Sequence, residues 1–347
     1  MRILSLYCGA GGIDEGLRQA GLRTTTAVDR HPDCCETMRL NHPDTEVIKG
    51  TIADLEGTFG RYDMVVGGPP CPEFSTANTK HTNDPTEVNR FWRIAKATGA
   101  RHVIMENVRG VLNFLPPEAA PYNRYVVNAA DYGVPQIRKR AIVTDLPRGQ
   151  TSHSKQGGQA TLFGSTLQKW VSIREALGLD GLLCDRSKRF NRNHHWPTNG
   201  PIVTLLANCK FIFRPSPDYI IQDRKHQDGV RDYSVDRPSC VIHTDARMWL
   251  LKDLKEDHPD WTEKHKPSNI EKPAYTVMGK DRGRVNNTIT DNSHVRKLTE
   301  RELATLQGFP TGYKFAGRKG SQTLMIGNAL PPAVIKAFVA PLVMVKV

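Results

Sequence analysis

The first 107 residues alternate short apolar runs with helix-length segments, and this alternation restricts the fold more than any other feature of the chain. Arg2–Tyr7 (RILSLY) is a β-rich run that stops at a glycine cluster, and Ile13–Ala20 follows as a helix closed by Gly21. Thr24–Val28, ended by Asp29, reads as a second strand. Cys34–Asn41 reads as helix, Val47–Ile48 as a short strand, and Tyr62–Val66 as a strand running into Gly67-Gly68-Pro69-Pro70. Phe91–Thr98 then reads as helix and His102–Met105 as a buried strand ending at Glu106. Strands that alternate with helices build βαβ units, so an α/β protein with a doubly wound, mostly parallel sheet is expected. Ligands of such sheets sit at the carboxyl ends of the strands. Asp29, Cys71 and Glu106 each fall just after a predicted strand, so one crevice can hold all three.

The remainder is organised differently. Residues 149–169, rich in Gly, Ser, Thr and Gln, read as a linker, and the stretch to about 290 is irregular with short β-like runs. Three of these open on a proline, at Pro201-Ile202-Val203, Pro238-Ser239-Cys240-Val241 and Pro273-Ala274-Tyr275-Thr276, and read as strands begun at an edge proline. Leu298–Gln307 reads as a helix with Thr299 as N-cap, and Ala333–Val339 as another after Pro331-Pro332. The apolar end is interrupted by Lys336 and Pro341 and is too short to span a bilayer, so no membrane partner is expected. A chain of 347 residues accommodates roughly two domains.

Charge separates the two parts. Lys and Arg exceed Asp and Glu by 12 overall; residues 1–150 carry 18 against 17, while residues 151–347 carry 30 against 19. A neutral part suited to a small molecule and a basic part suited to phosphates are expected from that split. Seven cysteines, an odd number with no CxxC pair and no secretory leader, point to a reducing, intracellular compartment and call for no metal.

Three places carry chemistry. Tyr7-Cys8-Gly9-Ala10-Gly11-Gly12 lies between a strand and a helix, where glycines allow close approach of a ligand to a helix N-terminus. Asp29, ending the next strand, can accept both hydroxyls of a ribose, so a nucleoside-bearing cofactor is favoured. Cys71, in Gly67-Gly68-Pro69-Pro70-Cys71-Pro72-Glu73-Phe74-Ser75, has prolines on both sides that hold its sulfur rigidly, which suits a nucleophile. Glu106, in Met105-Glu106-Asn107-Val108, is a carboxylate at the end of an apolar strand, costly to bury unless paired. It reads either as a cap for the following turn or as a proton donor and hydrogen-bond partner for a heterocyclic ring.

Together these motifs resemble the DNA (cytosine-5) methyltransferase family over about residues 1–145 and 296–340. The glycine loop at Tyr7–Gly12, the proline-cysteine motif at Gly68–Ser75 and Glu106-Asn107-Val108 follow the family's order. So do Gln136, Arg138 and Arg140 as its Gln-x-Arg-x-Arg element, then Arg296–Pro310 and Gly327-Asn328-Ala329-Leu330-Pro331-Pro332. The resemblance implies a Rossmann-like fold of the class I methyltransferase type, with residues 1–150 and 291–347 as catalytic domain. Residues 151–290 take the place of a smaller, irregular, β-containing target-recognition domain. It implies S-adenosyl-L-methionine as cofactor, held by Tyr7, Gly9, Gly11, Gly12, Ile13, Asp29, Arg30, Thr51, Ile52, Pro70, Asn328 and Ala329. Cys71 would add to C6 of a flipped cytosine, Glu106 would bind N3 and the exocyclic amine, and Arg138 and Arg140 would orient the base. Thr76–Asn89 would be the loop that closes over it. Double-stranded DNA is the expected partner, touched by Ser75, Gln136, Arg186, Arg189, Arg282 and Arg284, and a cytoplasmic, nucleoid-associated monomer is expected. A modification enzyme of a restriction-modification system, or an orphan or phage methylase, fits this reading.

Three positions depart from the family pattern. Tyr7 replaces the usual Phe, Pro72 stands where Gln is more usual, and Thr51 stands where an Asp meets the adenine amine, with Asp54 three residues on as a substitute. Two other readings share the fold: a tRNA cytosine-5 methyltransferase, whose Cys-Phe-Thr signature is not visible here, and a DNA-binding protein without turnover.

Overall fold

A computed structural model describes residues 1–70, 84–160, 165–178 and 296–344. Between 178 and 296 it describes only the segments 181–185, 194–197, 201–203, 211–215, 221–223 and 231–233. The strands β1 (Ile3–Leu6), β2 (Thr26–Asp29), β3 (Glu46–Lys49), β4 (Met64–Gly67) and β5 (His102–Asn107) alternate with helices. These are α1 (Gly12–Gln19), α2 (Pro32–Asn41), the single turn α3 (Ile52–Leu55) and α4 (Thr86–Ala97). With β6 (Asn123–Asn128) and β8 (Lys139–Thr144), and with the short β7 (Gln136–Ile137) outside it, they form a seven-stranded sheet of order β3-β2-β1-β4-β5-β8-β6. The first five strands are parallel, and β8 runs antiparallel to both its neighbours. The Rossmann-like, mostly parallel sheet expected from the alternation is therefore present.

The strands β1, β2, β4 and β5 are buried on both faces, as their apolar runs require. Leu4, Leu6, Val65, Val103 and Met105 pack on one side with Phe91 and Trp92 of α4. Ile3, Met64, Val66, Ile104 and Ile142 pack on the other with Ile13 and Leu17 of α1. That second layer is completed from the far end of the sequence, by Val334, Ile335, Phe338 and Val339 of the last helix, α8 (Pro332–Met344). The helices α5 (Ile173–Leu177), α6 (Glu300–Leu306) and α7 (Lys319–Asn328) complete the set. Thr299 caps α6 as its sequence predicts, in a reciprocal arrangement with Glu302. No single helix among the described residues is long and apolar enough to cross a membrane.

Register aligns the functional edge. Leu6 pairs with Val28 on one side and Gly67 on the other, and Gly67 pairs with Met105. The next residue of each strand or loop, Tyr7, Asp29, Gly68 and Glu106, therefore falls in one row along the carboxyl edge. The strand order reverses between β1 and β4, which is where open α/β sheets hold their ligands.

Two expectations change. The fourth helix begins at Thr86, so residues 86–89 of the expected loop are helical: Asp84 accepts from the Thr86 amide at 2.9 Å and hydroxyl at 2.5 Å, and Glu87 pairs with Arg90 one turn on. Residues 149–169, expected as a linker, contain a short parallel ladder of His153–Ser154 with Gln168–Lys169. The ladder is tied to Asp131, whose backbone carbonyl accepts from the Ser152 amide and whose carboxylate accepts from Trp170 Nε1 at 2.9 Å.

The chain divides into two units, residues 1–179, 196–209 and 298–347 in one and 180–195 and 210–297 in the other. In the second, Phe211–Pro215 pairs antiparallel with both Gly181–Asp185 and Arg296–Lys297, and Ile221–Asp223 pairs with Arg231–Tyr233. Of the three proline-led runs, Ile202–Val203 is a strand, paired in parallel with β7 in the first unit; the other two lie outside the described residues.

Candidate active site

Glu106 stands at the β5 end of the aligned row. It is 8% exposed, and Arg140 Nε on the neighbouring β8 lies 3.1 Å from its Oε1. Burial raises its carboxyl above the ordinary range, with the Arg140 and Arg138 charges opposing the rise. The group therefore holds a proton to higher pH than a surface glutamate and can serve as a hydrogen-bond donor.

The segment leading to Cys71 passes directly over this carboxylate. A Cβ placed on Gly68 would sit 2.9 Å from Glu106 Oε2, so the backbone comes this close only because residue 68 lacks a side chain. Asn107 Nδ2 donates to the Pro69 carbonyl at 3.1 Å and fixes the arm two residues before Cys71. Cys71 itself, with Pro72 and Ser75, lies outside the described residues, as do Arg186, Arg189, Arg282 and Arg284. The three cysteines whose side chains are described, Cys8, Cys34 and Cys35, are buried, and burial pushes each thiol up, away from thiolate chemistry.

The glycine loop joins the same edge. Tyr7 and Gly9 both have φ of +55° and Gly11 has +75°. Asp29 accepts from the Gly9 amide at 2.9 Å and from the His31 amide at 2.8 Å, one on each oxygen, so each oxygen keeps a further lone pair. A side chain on Gly9 would meet only the Tyr7 carbonyl, 4.0 Å away, and Gly11 begins α1 without a side-chain cap. Open backbone beside an uncapped helix N-terminus, with a half-exposed carboxylate next to it, fits a nucleoside-bearing cofactor with a polar amino-acid tail.

The remaining expected cofactor residues divide into exposed and supporting ones. Arg30, Pro70 and Asn328 are exposed, whereas Ile13, Ile52 and Ala329 are buried beneath them. Thr51 caps α3, accepting from the Asp54 amide at 3.2 Å and donating to the Asp54 carboxylate at 2.6 Å, so the two residues act as one unit. The Tyr7 hydroxyl, absent from a Phe, donates to Glu87 of α4 at 2.7 Å.

Two of the expected base or DNA contacts have buried side chains. Gln136 is fully buried, and its side chain donates to Gln307 Oε1 at 2.5 Å and to the Leu306 carbonyl at 3.3 Å. Arg138 is 1% exposed, and Nη2 donates to the Gly327 carbonyl at 2.9 Å and the Asn328 carbonyl at 3.4 Å. Gln307 in turn donates to the Ala329 carbonyl. The Gln-x-Arg pair thus braces segment 327–330 against Gly12, whose missing Cβ would lie 2.2 Å from the Leu330 carbonyl.

Arg138 is thus bonded to the carbonyls of the segment that covers Gly12, while Arg140 lies beside Glu106. Arg138→Met leaves two buried carbonyls short of a charged donor and is expected to cost about 2–4 kcal/mol of stability. Arg140→Met is expected to change stability by no more than about 1 kcal/mol, because Glu106 takes up a proton, and to lower turnover on the order of 10²-fold. Thermal unfolding and a methylation assay on both variants check the division.

Sequence reasoning missed Asn107, Gln307 and Tyr313, the last donating its hydroxyl to the Ala10 carbonyl. Asn107 was legible as the polar neighbour of Glu106; no spacing connects Gln307 or Tyr313 to partners far away in the chain.

Comparison with known proteins accords with this geometry. The profile of the C-5 cytosine-specific DNA methylase family matches residues 1–343. Type II methyltransferase M.AquIA of Picosynechococcus is 33% identical over 216 residues, covering 51% of this chain and 87% of the relative. M.NgoMIV of Neisseria gonorrhoeae is 27% identical, covering 96% and 94%, and M1.HphI of Haemophilus parahaemolyticus is 26% identical, covering 96% and 84%. A solved structure of a protein assigned as a DNA modification methyltransferase encoded within a prophage of E. coli shares the fold. Its TM-score is 0.52 at 18% identity, over 99% of this chain and 98% of that one.

Proposed function

Because the chain belongs to the C-5 cytosine-specific DNA methylase family and is thereby a DNA cytosine-5 methyltransferase, we propose that it acts on a cytosine flipped out of duplex DNA through a covalent bond from Cys71. The observation that carries the reading is the Glu106–Arg140 pair at the carboxyl edge of the sheet, under the arm that leads to Cys71.

C5 of cytosine is a weak nucleophile, and the residues present answer that difficulty. Attack of the Cys71 thiolate on C6 forms a C–S bond and moves an electron pair toward N3, where protonated Glu106 donates a hydrogen bond. Arg140 lies beside Glu106 and balances negative charge that develops on the ring. C5 then carries the electron pair that takes the methyl group. Loss of the C5 proton and expulsion of Cys71 restore the aromatic ring. S-adenosyl-L-methionine, when bound, supplies the electrophilic methyl. Gly9, Asp29, Thr51 with Asp54, and Asn328 are the residues that would hold it. A stacked base is out of reach of this edge, so the cytosine leaves the helix first.

Duplex DNA as partner is supported by the excess of positive charge after residue 150, where residues 151–290, the part proposed to recognise the target, carry 22 Lys and Arg against 16 Asp and Glu. Binding to non-specific duplex is expected to weaken on the order of 10³-fold between about 50 and 200 mM salt. A flat response, read by fluorescence anisotropy, contradicts that assignment. Similarity to Type II methyltransferases supports a modification role.

The decisive experiment is transfer of a labelled methyl to unmethylated duplex DNA, with tRNA assayed beside it, followed by bisulfite sequencing of a host genome expressing the gene. Label on DNA with a fixed sequence context is expected. Label on tRNA alone, or cofactor binding without transfer to either, contradicts the reading.

A further inference from the structure

Behind the glycine loop lies a buried polar chain that the transfer reaction does not use. Tyr313, 6% exposed and held between Phe309 and Phe315 at ring separations of 4.7 and 5.3 Å, donates its hydroxyl to the Ala10 carbonyl at 2.7 Å. His42 Nε2 lies 3.3 Å from the same hydroxyl. His42 interacts electrostatically with the buried Asp14, which accepts from the Thr24 hydroxyl at 2.7 Å. The phenol also abuts Gly11, where a Cβ would stand 2.5 Å from the hydroxyl oxygen.

The loop that carries Tyr313 is itself fastened. Arg301 of α6 donates to the carbonyls of Pro310, Thr311 and Tyr313 at 3.1, 2.9 and 2.8 Å. Asn41, ending α2, exchanges two hydrogen bonds with the backbone of Lys314, at 2.7 and 2.8 Å. The hydroxyl is therefore delivered to one point of the loop by rigid supports on both sides.

We propose that Tyr313 is a positioning residue for the cofactor: its hydroxyl, steadied by His42, fixes the Ala10 carbonyl and so the Gly9–Gly12 turn in the shape that receives S-adenosyl-L-methionine. The proposal rests on the cofactor reading above. Ala10 and Gly11 lie in the loop's interior, with Ala10 1% exposed, so Tyr313 acts through the backbone and touches no ligand itself. Without the hydroxyl, the Ala10 carbonyl loses this buried donor, and the turn can rotate that peptide at little cost.

Isothermal titration of the full chain with S-adenosylhomocysteine tests this. Wild-type protein is expected to bind one equivalent per chain; failure of the wild type to bind overturns the cofactor reading itself. Given wild-type binding, Tyr313→Phe is expected to raise Kd about tenfold, equivalent to about 1.4 kcal/mol, with stoichiometry unchanged. A merely structural role would reduce the fraction of folded chains, lowering stoichiometry and leaving Kd alone. Either that result or an unchanged Kd overturns the proposal. His42→Gln, which keeps a donor toward the phenol, is expected to bind within about twofold of wild type, and His42→Leu to bind several-fold more weakly. Should Tyr313→Phe fail to fold, a His42→Leu protein with wild-type Kd overturns the proposal in its place.

Discussion

Replacing Cys71 by Ala is expected to abolish methyl transfer, by at least about 10⁴-fold, while leaving the fold and the binding of S-adenosylhomocysteine intact. The size follows from the chemistry: without addition at C6, C5 has no electron pair to offer, and among the described residues no thiol stands ready to substitute. The cysteines whose side chains are described are buried, and burial pushes each thiol up, away from thiolate. Wild-type protein is expected to form a complex with 5-fluorocytosine DNA that survives denaturing electrophoresis, because fluorine in place of the C5 proton blocks release. The variant is expected to form none. A trapped complex from Cys71→Ala protein removes this residue from the role.

The second large effect concerns Glu106. Glu106→Gln is expected to lower turnover by about 10²–10⁴-fold while raising stability at neutral pH, two opposite changes at one residue. Burial raises the carboxyl of the folded state above its unfolded value, against the opposing Arg140 and Arg138 charges. A group shifted that way favours folding below its unfolded pKa, and the advantage is lost as pH rises through the folded value. At neutral pH the wild type bears the cost of burying a carboxyl that is ionised in the unfolded chain, and the amide does not. Turnover of the wild type is expected to decline as pH rises through the same folded value, since the donor form is consumed, whereas the residual turnover of Glu106→Gln lacks that limb. Thermal unfolding across pH, with single-turnover rates beside it, tests both; a variant less stable than wild type at neutral pH and as stable at low pH contradicts the account.

The sheet was legible because β1, β2, β4 and β5 are buried on both faces and therefore announce themselves as apolar runs ended by Gly, Asp or Asn. The beginning of α4 was not. Thr86–Arg90 is polar, and it is helical because of Asp84, the Glu87–Arg90 pair and the Tyr7 hydroxyl, none of which has a periodic signature. The ladder of His153–Ser154 with Gln168–Lys169 is too short to show through a composition rich in Gly and Ser. In the site, Asp29 and Glu106 were legible from position alone, each at the end of a strand. Gln136 and Arg138 read as substrate groups because the resemblance places them with Arg140 in the family's Gln-x-Arg-x-Arg element. Only the fold shows that they point inward, to carbonyls and an amide about 170 to 190 residues away.

The way α8 and segment 327–330 finish the core has a consequence for synthesis. The apolar face of α1 and the back of the glycine loop have to wait for residues that leave the ribosome some 320 positions later. At about 5–20 residues per second, that delay is roughly 15–60 s. During it the nascent chain carries an uncovered hydrophobic layer, a target for chaperones, and a turn whose supports do not yet exist. Competence to bind the proposed cofactor is thus expected to arrive with the last helix rather than with the loop itself.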